Sequence, residues 1–279
     1  MKKYIKYIVI LFIITITLLN FNIISNSISN SFNLCISVLL PSIIPFLLLS
    51  SILIKYNILN SNIYSLILLC IISGSPSNSK YIKDYLDNKI IDIKDAQKLL
   101  NYLQYYNPLY ILNGIGLLTL NSKKLGLIIL ISTILSSLLL KKEVNITPIN
   151  TKNSLFEVLS VSISNVINTT LFIIGVITFF FIFTSYIDII FHIKDEYKFL
   201  YGILEITQGI NYLKYSNLSI YMKTIISSVF ISFGGLSMHL QIFGILDNKK
   251  IRYKPYLINR IKHSILSVII TSILFHILN

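Results

Sequence analysis

Long apolar runs separated by short polar knots set the pattern of this chain. Apolar stretches at 4–24, 34–54, 109–118 (with the helix before it), 125–140, 171–191 and 257–278 are candidate spans. The longer ones approach the roughly 20 residues that a helix needs to cross a hydrocarbon core. Two further runs stop short. Leu66 to Ile72 breaks into Ser73-Gly74-Ser75-Pro76-Ser77-Asn78-Ser79-Lys80, and Ile225 to Ile231 into Ser232-Phe233-Gly234-Gly235-Leu236-Ser237-Met238-His239-Leu240-Gln241. Each knot is followed by the same tag, Leu86-Asp87-Asn88-Lys89 and Leu246-Asp247-Asn248-Lys249. From Ser73 to Ser232 the offset is about 160 residues, which reads as an internal duplication.

The pattern predicts an all-α, polytopic transmembrane bundle of two related halves, each with a broken or re-entrant helical hairpin. A knot at the tip of a re-entrant hairpin is the natural form. Backbone that leaves a helix within a membrane must find partners in protein or beside a water-filled cavity. Paired interruptions in corresponding halves therefore point to the binding site of a transporter. The expected organisation is an N-terminal transmembrane helix with a polar linker (1–33), a first half (34–140), a linker (141–154) and a second half (155–279). Lys141, Lys142, Glu143, Pro148 and Lys152 mark that linker.

The most polar stretch lies between the first knot and Leu109. Asp92 can cap a helix there, with Asp95 in its first turn and Ile93, Ala96, Leu99, Leu100 and Leu103 at helical spacing. That helix meets Asn107-Pro108, where proline removes a backbone donor and disfavours helix at the residue before it. A polar kink is expected, against the plainer alternative of a loop.

Composition agrees with a membrane protein: 54% of the 279 residues are hydrophobic and 13% charged. Ordinary soluble domains carry about 25% charge. Lys2, Lys3 and Lys6 precede the first apolar run, and no small-residue cleavage site follows it, so an uncleaved helix is expected over a signal peptide. The net charge of +13 resides in loops, which suits cytoplasmic loops and anionic headgroups. No basic helix, aromatic RNA-binding motif or zinc-finger spacing is present, and nucleic acid is not an expected partner. Cys35 and Cys70 lie in apolar runs and read as buried small hydrophobes.

The lysines put the N-terminus inside and favour the cytoplasm for the bases of both hairpins. A simple inverted repeat would place those bases on opposite sides, and whether 199–212 crosses the membrane decides between the arrangements.

Candidate chemistry gathers at the interruptions. Glu205 lies in Leu204-Glu205-Ile206-Thr207-Gln208-Gly209, within an apolar neighbourhood. An ionisable group at membrane depth costs at least ~2.5 kcal/mol and is a functional candidate by default. If the segment lies at the interface, Glu205 is merely solvated. Gly209 could end a half-helix, leaving carbonyls free near Thr207 and Gln208. His239 and Gln241 belong to the second knot, where Gly234-Gly235 allows close approach of backbone amides, and half-helix N-termini favour anions. Ser77 and Asn78 could act alike at the first tip. The expected substrate site is thus Ser73, Gly74, Ser75, Pro76, Ser77, Asn78, Asn107, Pro108, Glu205, Thr207, Gln208, Gly209, Gly234, Gly235, Ser237, His239 and Gln241, converging on one polar cavity near the midplane. P-loop, HExxH, GxSxG and metal-spaced clusters are missing, so no enzyme activity, cofactor or metal is expected. His192, His263 and His276 read as non-catalytic.

Phe233-Gly234-Gly235-Leu236-Ser237-Met238-His239-Leu240-Gln241, then Arg252-Tyr253-Lys254-Pro255-Tyr256-Leu257 and Arg260, resemble the YlbJ-type sporulation integral membrane proteins, which carry the nucleoside recognition or Gate domain. Leu204-Glu205-Ile206-Thr207-Gln208-Gly209 also fits, and order and spacing agree across most of the chain after about Leu34. The first half departs: Gly74-Ser75-Pro76 and Asn78-Ser79-Lys80 stand where the family has Gly-Tyr-Pro and Gly-Ala-Lys. Tyr105 and Tyr106 replace smaller or more polar residues before Asn107-Pro108. The resemblance implies a multi-pass protein of the bacterial cell membrane, at the outer forespore membrane, that passes dipicolinic acid from mother cell to forespore in late spore maturation and cortex formation. Alternatives are a non-transporting scaffold for envelope assembly and a nucleoside carrier. Membrane lipids and a small anionic substrate are the expected partners. A second copy of the chain or other spore-membrane proteins stay open.

Overall fold

The computed structural model describes residues 2–55, 63–146, 154–248 and 250–278. Pro148 and Lys152 of the expected linker, and Lys249 of the second tag, lie outside the described residues. The chain is an all-α polytopic membrane protein. Among the described residues three stretches are long and apolar enough to cross a membrane: Leu155–Phe191, Ile220–Leu246 and Tyr253–Leu278, with mean hydropathies of 2.4, 1.7 and 1.8.

Helix α1 (Lys2–Leu19) and helix α2 (Phe21–Leu34) meet at Asn20, and the stretches Lys6–Leu19 and Phe21–Ser37 are bent by 87°. The expected straight span 4–24 is therefore broken, and the expected linker at 20–33 is helix. The reason is a hydroxyl face. Ser27 pairs with Ser185 at 2.5 Å and Ser31 with Thr178 at 2.9 Å, both on α8 (Leu155–Phe191). Such interhelical hydroxyl pairs act as polar glue between membrane helices. Through a π-helical turn at Cys35–Leu39, α2 runs on into α3 (Leu40–Lys55), and Ser51 donates to Ser162 of α8 at 3.0 Å.

The first knot joins α4 (Ile63–Ser73) to α5 (Ser77–Asp87) through Gly74, at φ +74°. Helix α6 (Ile93–Tyr102) follows, with Asp92 as its cap, accepting from the Asp95 amide as its spacing predicts. The chain then leaves helix at 103–107 and re-enters at Pro108. The structure thus has a break where a kink was expected. The Asn107 side chain accepts from the Leu109 amide at 2.8 Å, and proline at the first helical position loses nothing because its missing N–H would be unpaired there anyway. A π-helical segment (Tyr110–Leu117) and α7 (Lys123–Leu139) complete this part.

After α8 the chain forms a 3-10 segment (Asp195–Ile203) and α9 (Ile206–Tyr215). These fold back on each other. A Cβ on Gly209 would lie 2.2 Å from the Gly202 Cα, and the Tyr201 and Tyr212 rings are 6.1 Å apart. Residues 199–212 therefore do not make a crossing. Gly209 sits inside α9, not at the end of a half-helix; its missing side chain permits this close approach.

The second knot joins α10 (Ile220–Phe233) to α11 (Gly235–Leu246) through Gly234 alone, at φ +99°. It is a break within one 27-residue span, not the tip of a re-entrant hairpin. Helix α12 (Tyr253–Leu278) returns alongside, tied to α10 by Ser228, which pairs with Ser267 and Thr271 at 2.8 Å each.

Helices α5 and α11 pack in one core with α4 and α6: Ile82, Tyr85, Ile90 and Leu99 meet Ile242, Leu246 and Ile251. Both LDNK tags thus lie at one end of the bundle, and α5 and α11 run the same way, unlike a simple inverted repeat. The Arg252 amide donates to the Gln97 side chain at that end, and Asn145 of the linker donates its amide to Asp95.

Candidate functional site

The two knots differ in how their open helix ends are satisfied. At the first, Ser75 donates its amide to the Tyr105 carbonyl at 2.5 Å and its hydroxyl to Gln104 Oε1 at 2.6 Å. Asn78 accepts from the Ser73 hydroxyl at 3.1 Å and donates to the Leu103 carbonyl at 2.6 Å. The extended segment 103–107 therefore acts as the partner strand of this break. Gly74 packs so closely that an added Cβ would lie 2.4 Å from the Asn107 nitrogen.

At the second knot, two buried charges from different elements hold the two helix ends. The Arg260 guanidinium is 1% exposed and donates to the carbonyls of Ser232, Phe233 and Gln104. It faces the C-terminal end of α10 and lies just beyond that of α6. Each such end carries roughly −0.5 of a charge, so together they nearly balance one guanidinium without a carboxylate. His263 reinforces the arrangement, with Nε2 2.9 Å from the Thr133 carbonyl and Nδ1 3.0 Å from the Ser232 carbonyl.

On the other side of the break, α11 begins against the Leu204–Glu205 corner. The Ser237 amide donates to the Leu204 carbonyl at 2.8 Å. Glu205 is 3% exposed and caps α9: its Oε2 accepts from the Gln208 amide at 3.0 Å and from the Thr207 hydroxyl. Ser237 and this carboxylate line the same cavity. Two helix N-termini thus meet at the Leu204–Glu205 corner, α9 on the carboxylate and α11 on the Leu204 carbonyl. The glycine pair that was expected to bring amides to a ligand brings them to this corner instead.

A buried cavity collects most of these groups. Ser75, Pro76, Asn107, Glu205, Thr207, Ser237 and Gln241 line it, with Tyr106 and Tyr110 and an apolar wall from Leu39, Ile43, Ile173 and Ile177. Both knots, the 103–107 break and the Glu205 corner therefore share one space. About 50 Å³ of it is open to water-sized groups, room for roughly four waters at 10–15 Å³ each. Tyr106 closes the circuit by donating from its hydroxyl to the Gly234 carbonyl at 3.1 Å.

The remaining sequence candidates do not line this cavity. Ser73, Gly74, Asn78, Pro108, Gly209, Gly234 and Gly235 shape the backbone around it, and the Ser77 hydroxyl is buried without a partner. His239 is structural: Nδ1 is 3.0 Å from the Tyr253 hydroxyl and Nε2 3.0 Å from the Phe233 carbonyl, which leaves no free nitrogen. Gln208 instead lines a second, larger cavity of about 500 Å³, with Ser27, Asn30, Ser185, Asp188, Asn211 and Lys214 among its walls. Tyr110 and Thr207 belong to both cavities and so form the partition between them.

This vestibule lies at the end of the bundle away from the tags. Phe172 is level with Gly244 near the tag end, while Asp188 borders the vestibule, about 24 Å further along α8. Lys198 pairs there with Asp188 at 3.3 Å and Asp195 at 2.9 Å. Burial opposes its charge, but the hydrogen bonds it donates to both carboxylates hold its pKa above the usual lysine value.

Sequence reasoning missed Arg260 as a site element, and Tyr106 and Tyr110 as its walls. The sequence signal for Arg260 was a charge in the first turn of the candidate span 257–278, which pointed to no partner.

Comparison with known proteins adds one relative. The chain resembles the sporulation integral membrane protein YlbJ. Identity to that protein of Bacillus subtilis (strain 168) is 21% over 302 aligned positions, covering 85% of this chain and 74% of the relative. No family model matches the chain, and no solved structure matches it. The YlbJ-type likeness read from the second knot and the Arg252–Arg260 stretch thus extends over most of the sequence.

Proposed function

We propose that this chain is a carrier, not an enzyme, for a small anionic metabolite, acting in the membrane around the developing spore. Dipicolinic acid, moved from mother cell to forespore, is the first candidate. The relative's role in sporulation supports the setting, and a carrier of two related halves would explain the paired knots and tags. The observation that carries the reading is the shared cavity: both knots, Asn107 and Glu205 border one space, apolar on its α3 and α8 side, next to a larger and more polar vestibule. Scattered through lipid, the same interruptions would leave unsatisfied backbone at several kcal/mol per group.

The inner cavity is too small for an aromatic dicarboxylate in this conformation. A carrier must therefore widen it to load substrate, and the broken helices supply the joints. The same small volume favours the second reading, a packed scaffold for envelope assembly that moves no solute.

Uptake by the purified protein in liposomes separates the readings. Dipicolinate should accumulate above protein-free vesicles and uridine should not. Glu205→Gln should impair uptake far more than Glu157→Gln at matched protein levels, because Glu157 is exposed at the start of α8. Absence of dipicolinate uptake would leave the scaffold reading, and uridine uptake alone would make the chain a nucleoside carrier.

A further inference from the structure

We propose that Glu205 is the proton-binding group of this site, and that Thr207 passes the proton to it from the vestibule. The link to substrate rests on the carrier reading above, but proton binding itself does not. Glu205 lines the inner cavity and makes no ion pair among the described residues. Among the described residues, no lysine, arginine or histidine lines that cavity. The titratable groups facing the carboxylate are the Cys35 thiol, at the turn into α3, and the phenols of Tyr106 and Tyr110. Helix α8 presents only Ile173 and Ile177, and α11 presents Ser237, Met238 and Gln241. A carboxylate in such surroundings is costly to keep bare at membrane depth and needs a proton or a cation.

Thr207 supplies the route. Its hydroxyl donates to Glu205 Oε2, and the residue also borders the vestibule. The threonine O–H bond breaks as its proton joins Oε2, while a hydronium in the vestibule gives a proton to Thr207 Oγ1. The net change is carboxylate plus hydronium to carboxylic acid plus water. The neutral acid no longer repels an anion, and the N-terminal end of α9, which the carboxylate had capped, can take a share of the anion's charge. Proton and anion then enter the site together.

Two measurements test this. Infrared spectra of the protein in liposomes, taken as pH is lowered, should gain a carboxylic C=O band. Glu205→Gln should remove that band and Asp188→Asn should keep it. Absence of a Glu205-dependent band overturns the proposal. In vesicles loaded with a pH dye, dipicolinate uptake should rise with an inward proton gradient and acidify the lumen. Thr207→Val should lose the gradient stimulation and Thr207→Ser should retain it. Uptake driven by sodium and indifferent to the proton gradient overturns proton coupling and leaves the carrier reading standing. A Glu205-dependent band without uptake of any anion supports proton binding and overturns the carrier reading.

Discussion

At Gly234 one helix ends and the next begins, and opposite charges take the two sides. Arg260 receives the carbonyls that α10 leaves open, and on the other side Glu205 caps α9 while α11 gives its Ser237 amide to the adjacent Leu204 carbonyl. Arg260 needs no carboxylate, because helix ends supply it with a partial countercharge, whereas Glu205 caps one helix end and has no ion pair among the described residues. Truncating Arg260 would strand the Gln104 carbonyl and leave the Ser232 and Phe233 carbonyls to His263 and His239 alone. Leaving a buried acceptor without its donor costs about 1–3 kcal/mol. Arg260→Met should therefore lower the thermal unfolding midpoint in detergent sharply. Arg260→Lys should recover only part of it, since a lysine is a point charge and cannot serve three carbonyls in a fork. Equal midpoints for parent and Arg260→Met would remove this assignment. Glu205 was legible in the sequence because it is an acid in apolar surroundings. Arg260 was not, because its partners are backbone carbonyls and leave no side-chain pattern. His239 misled for a related reason: a histidine beside two glycines looks ligand-ready until Tyr253 and Phe233 are seen to occupy its ring nitrogens.

The helices break where the knots foretold, but the breaks are built differently. Gly74 is fixed twice over, by its left-handed backbone and by contact with Asn107. Gly234 is fixed by backbone alone, since the nearest atom to an added Cβ is 3.7 Å away, on His239. A non-glycine residue in a left-handed conformation costs about 1–2 kcal/mol. Gly234→Ala should cost about that much, read as folded yield and unfolding midpoint. Gly74→Ala should cost more, because segment 103–107 must also move. A milder effect at Gly74 than at Gly234 would mean that the Asn107 contact is not rigid. The apolar runs made the half-helices readable in advance. The long-range partners were hidden, because the hydroxyls of 20–33 read as a linker until the Ser and Thr face of α8 is alongside.

At the scale of the molecule, the two ends of the bundle are unlike. Both tags lie at one end, where Lys89, Lys94, Lys98, Lys250, Arg252 and Lys254 surround the junction of α6, the linker and α12. Asp95 anchors that junction. Burial opposes its ionisation, but the Lys98 hydrogen bond, the Asn145 amide and the Lys98 and Lys94 charges hold its carboxyl below the usual range. The vestibule opens at the other end, where Lys198 is matched by Asp188 and Asp195. Short loops rich in Lys and Arg stay in the cytoplasm, so the tag end is expected inside and the vestibule outside. The sequence held this bias, but the sides could not be assigned until 199–212 was seen to fold back without crossing. Cysteine labelling tests the orientation cleanly, because native Cys35 and Cys70 are buried and should give little background. An impermeant maleimide should label Glu196→Cys, at the vestibule end, in intact cells expressing the protein. Asp87→Cys, at the tag end, should react only after lysis, and both positions are exposed. Reversed labelling would turn the carrier over, with the vestibule and its Thr207 partition facing the cytoplasm. Labelling of both sites in intact cells would mean that the tags do not lie across the membrane from the vestibule.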